Sequence, residues 1–85
     1  MISSLGTVQT ALTNAYWESR ASTAAMTAAA MKALDMPLEL ERWLAVEKVI
    51  DGWLLRSNGP VRFDAMAREV VAMVERDSVT VNGIG

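Results

Sequence analysis

Residues 38–55, LELERWLAVEKVIDGWLL, constrain this chain more than any other stretch. They hold two of its three tryptophans, Trp43 and Trp53, and read as one strongly apolar helix. At a helical step, Trp53, Val46, Ile50, Trp43, Leu54, Leu40, Leu44 and Leu55 sweep an arc of roughly 200°. Glu41, Arg42, Lys48 and Arg56 take the remaining side. A surface helix needs an apolar stripe of only about 100°. This one must be covered from two directions, by the rest of the chain or by a partner.

How much the chain can supply follows from its size. With 85 residues it is expected to form a single helical domain near the lower limit for burying a core unaided. Yet 52% of its residues are hydrophobic and only 21% are charged. A small body cannot hide half its residues, so a homodimer or an obligate protein partner is expected. The net charge of −2 and a pI near 4.9 disfavour binding to nucleic acid through bulk electrostatics. Cysteine and histidine are both absent, which removes disulfides, thiolate nucleophiles, the usual zinc ligands and histidine acid–base chemistry. No secretory signal is expected in MISSLGTVQT, and the charge-poor stretch 21–31 is too short and too interrupted by threonine to cross a bilayer. These features point to a cytoplasmic protein without a membrane segment.

The pattern predicts an all-α, three-helix, bundle-like domain with a long first helix over about 5–34. Its seam steps by three and four through Leu5, Val8, Leu12, Ala15, Ser19, Ser22, Met26, Ala29 and Ala33. Small side chains in the second half of that seam permit close backbone approach. Trp17, Ala21, Ala24, Ala28 and Met31 form a weaker strip on the opposite face. Trp17 lies off the seam, so it should stay partly exposed and is the best candidate for an interface anchor.

Asp35, Met36 and Pro37 break the helix, and the second is expected over about 37–57, stopped by Ser57, Asn58, Gly59 and Pro60. Gly52 inside it suggests a close neighbour. A third helix over about 62–77 turns Phe63, Met66, Ala67, Val70, Met73 and Val74 inward. Residues 78–81 alternate like a strand but have no partner strand, so 78–85 reads as a flexible tail.

Glu47 and Asp51 stand one turn apart within the apolar arc, where carboxylates need cationic or hydrogen-bonding company. Arg20, Arg62 or Arg68 could fold across to them, or they could mark the rim of a partner surface. The expected partner-binding set is therefore Trp17, Trp43, Glu47, Asp51 and Trp53. No phosphate loop, calcium loop or histidine-bearing metal motif accompanies the pair, so no catalytic residue, metal or cofactor is expected. Arg56, Arg62 and Arg68 gather near the second break and could touch phosphates, although the turn and short recognition helix of a helix–turn–helix do not follow. The reading is a non-enzymatic protein–protein interaction module (an adaptor, a small chaperone or a compact inhibitor). The alternative is a small DNA-binding regulator using those arginines.

Overall fold

The computed structural model describes residues 5–36, 39–56 and 59–84, with side chains described as far as residue 76. Four helices follow one another: α1 (Leu5–Ser19), α2 (Thr23–Ala33), α3 (Leu40–Arg56) and α4 (Phe63–Ile84). The protein is all-α, with no strand among the described residues. The helices close into a ring. α1 packs against α2 and α4, and α3 packs against the same two, whereas the diagonal pairs do not meet.

The single long helix expected over 5–34 is instead two helices that fold back on each other. Arg20 and Ala21 both take left-handed backbone angles, with φ of 58° and 66°. Such geometry costs a non-glycine residue about 1–2 kcal/mol. Local hydrogen bonds offset that strain. The Ala21 N–H donates to the Tyr16 carbonyl at 2.8 Å, in the manner of a Schellman cap. The Ser19 hydroxyl donates to the Ala15 carbonyl and accepts from the Ser22 N–H at 3.1 Å. Ser22 then caps α2, its side chain accepting from the Ala25 N–H at 3.2 Å.

The second break is also a Schellman cap. Met36 N–H reaches the Met31 carbonyl, Asp35 N–H reaches that of Lys32, and Asp35 is left-handed at φ 54°. α3 begins at Leu40, three residues later than expected, with Glu39 accepting the first helical bond from the Trp43 N–H at 2.8 Å. The proline at 37 and the Ser57–Asn58 part of the later stop lie outside the described residues. Among the described residues Gly52 has no close neighbour: an added Cβ would meet the Arg56 guanidinium at an ordinary 3.8 Å.

α4 corrects the expected tail. Its backbone remains helical through Ile84, including the alternating residues 78–81. Without a strand to pair with, continuing the helix is the way to satisfy these backbone groups within the segment, and extension is cheap once a helix is nucleated.

The core sits inside the ring. Val8 and Leu12 from α1, Met26, Ala30 and Met31 from α2, Val46 and Ile50 from α3, and Met66, Ala67 and Val70 from α4 are fully buried. Met31, placed on the weaker strip by a continuous-helix reading, is in the core because the break re-aims α2. Thr27 is buried as well, its hydroxyl donating to the Thr23 carbonyl at 2.7 Å. At one end of the ring Tyr16 packs edge-on against Phe63, with centroids 5.2 Å apart.

Candidate interaction surface

α3 carries bulky apolar residues on more of its circumference than two neighbours can cover. Val46 and Ile50 point into the ring and disappear from solvent. Trp43, Val49, Trp53 and Leu54 lie partly buried beside them. The remainder of the arc faces water: Leu40 is 72% exposed, Leu44 51% and Leu55 79%. A helical step places Leu40, Leu44, Glu47, Asp51 and Leu55 along one outer row.

Glu47 and Asp51 interrupt that row and, with Thr23, Leu44 and Lys48, line a shallow concavity of about 250 Å³ between α2 and α3. None of the expected arginines reaches them. Asp51 accepts a long hydrogen bond, 3.4 Å, from the Thr23 hydroxyl, and Glu47 makes no ion pair among the described residues. Arg62 is held elsewhere by Asp64, through two contacts of 3.1 Å from its Nε and Nη2. That hydrogen-bonded guanidinium, with the Ala65 N–H behind it, holds the Asp64 carboxyl down at about 2, and the same pairing raises Arg62. Arg68 is exposed.

The other candidates are distributed around the molecule. Trp53 belongs to the α3–α4 seam, where its indole N–H donates to Glu69 Oε1 at 2.8 Å. The Arg56 guanidinium lies over the same ring at 4.1 Å and approaches Glu69 at 4.0 Å. Arg56 is thus engaged in a seam contact, as Arg62 is engaged with Asp64. Trp17 is 70% exposed and touches Tyr16 edge-on at 5.0 Å. Because α1 occupies the corner diagonal to α3, Trp17 and the leucine row belong to different faces.

Sequence reasoning placed Leu40, Leu44 and Leu55 in the arc without separating the outer row from the inner face. It also missed Thr23 and Glu69 as polar partners. The width of the arc was the available signal for the row, since two neighbours cannot cover it all. No group of three metal-ligating side chains occurs among the described residues. None of their helices is long and apolar enough to cross a membrane. No protein family, curated protein or solved structure matches the chain.

Proposed function

We propose that the protein is a non-enzymatic interaction module whose working surface is the outer row of α3. The observation that carries this reading is the exposure of Leu40, Leu44 and Leu55 along one face of a helix that is anchored by the fully buried Val46 and Ile50. Large side chains set out in a row on a rigid, well-anchored helix suit binding to another macromolecule, because little order must be imposed when they are covered. The half-buried Trp43 and Trp53 stiffen the helix from beside it rather than supplying the contact themselves. Trp17 offers a separate apolar point on another face. An adaptor, a small chaperone or a compact inhibitor would each use such a surface in the same physical way.

A photo-crosslinking residue placed at 44 or 55, with one at exposed Asn14 on α1 as control, tests this in the cells that carry the gene. Adducts of discrete mass from 44 and 55 but not from 14 are expected. Equal, diffuse labelling from all three positions would contradict the proposal, and a nucleic-acid adduct from a further crosslinker in place of exposed Arg68 would favour a DNA-binding regulator.

A further inference from the structure

The charges set into the leucine row narrow the chemistry of what covers it. Glu47 and Asp51 lie between Leu44 and Leu55, one turn apart, and no cationic side chain of the described chain closes on either. Glu41 adds a further negative charge at the N-terminal end of α3, and Lys48 is the row's own counter-charge. Covering this face with an apolar surface alone would strip water from carboxylates that have only a long threonine hydrogen bond in return.

A second copy of this chain is a poor fit for the same reason. In an antiparallel pairing centred on the row, Glu47 would stand beside its own copy and Leu44 would face Asp51. In a parallel pairing, Asp51 would face Asp51. Either arrangement brings like charges together or buries a carboxylate against leucine, and like-charge juxtaposition is what excludes wrong partners at interfaces.

Building on the interaction-module reading, we infer that the outer row of α3 docks a basic amphipathic helix of a different protein. An arginine or lysine of that helix enters the concavity between Glu47 and Asp51, and apolar residues one turn to either side cover Leu44 and Leu55. The row from Leu40 to Leu55 spans roughly 22 Å, so the partner segment is a helix of about four turns. Leu40 and Leu44 supply contact area, and the two carboxylates set orientation and register through charge-assisted hydrogen bonds.

Selection of a random helical-peptide library against the intact protein tests this directly. Enriched sequences should carry arginine or lysine flanked at three or four positions by apolar residues. A representative winner should lose about tenfold or more in affinity against the Glu47→Gln, Asp51→Asn double variant, and should weaken with added salt. It should also fail to bind Leu44→Lys, while the circular dichroism of both variants stays that of the parent. Three results would overturn the inference. Winners that are apolar or acidic, yet still require Leu44, would leave the interaction module standing and remove its cationic partner. Winners indifferent to both variants, or no convergence at all, would remove the α3 surface itself. A concentration-dependent dimer that Leu44→Lys dissociates would make a second copy the occupant.

Discussion

α2 and α3 make opposite use of their side chains. α2, TAAMTAAAMKA, has few large residues, yet Met26, Thr27, Ala30 and Met31 are fully buried. α3 is richer in leucine and tryptophan and fully buries only Val46 and Ile50. Side-chain size alone would have ranked them the other way. In a ring of four helices each member has two neighbours, and the space between them is limited. Small residues let α2 enter it closely, whereas α3 fills its share with two β-branched residues and has leucines to spare. The difference teaches that burial follows geometry first, and that surplus apolar area appears on the helix with the bulkiest side chains.

The comparison is broken most severely from inside. Ile50→Ala should cost about 2–5 kcal/mol in chemical denaturation, through lost transfer energy and the cavity left behind. Leu44→Ala, a deletion of similar size six residues away on the same helix, should stay within about 0.5 kcal/mol because its side chain already meets water. Equal costs would mean that the two faces of α3 are not distinct. Ala30→Leu tests the α2 side by overfilling it and should destabilise by about 1–3 kcal/mol. A neutral result there would show slack between α2 and its neighbours.

Smaller effects sharpen the picture of how α2 is aimed. Ala21→Gly should stabilise by about 1 kcal/mol, because glycine accepts the left-handed geometry that alanine resists. Destabilisation would instead favour a continuous helix through residues 20–22. Last, Asp64 anchors the start of α4 with Arg62. Its folded value of about 2 lies below its ordinary 3.8, so its contribution is present above 3.8 and is lost as pH falls toward 2. An NMR titration should find the depressed value, and Arg62→Ala should move it back upward. An unchanged value would mean that the pair does not form in solution.

The helical class and the two later breaks could be read from residues 35–37 and 57–60, because proline punctuates both and glycine joins it at the second. The first break could not. It contains neither residue, and its left-handed positions are held by Arg20 and Ala21, which ordinary helix rules count as favourable. Only Ser22 and Thr23, a capping residue and its follower inside an apparent seam, hinted at a new start. The last turns of α4 were misread because alternation at 78–81 suggests a strand, although the described chain provides no strand to receive it. At the candidate surface, Glu47 and Asp51 stood out as carboxylates set within an apolar arc, and the structure leaves both open to solvent in part or whole. Pairing with arginine was the wrong expectation because Arg62 has a carboxylate two residues away, and local pairing wins over a long reach.

The two faces of α3 can be compared in one experiment, since the chain has no cysteine of its own. Thiol labelling rates of Leu44→Cys and Ile50→Cys, measured under native conditions over a range of protein concentrations, report exposure at each position. A thiol at 44 should react nearly as fast as in an unfolded peptide at every concentration, while one at 50 should be protected by roughly a thousandfold or more. Comparable protection at both positions would contradict an open leucine row on an anchored helix, and protection at 44 that grows with concentration would show that the chain covers this face with itself.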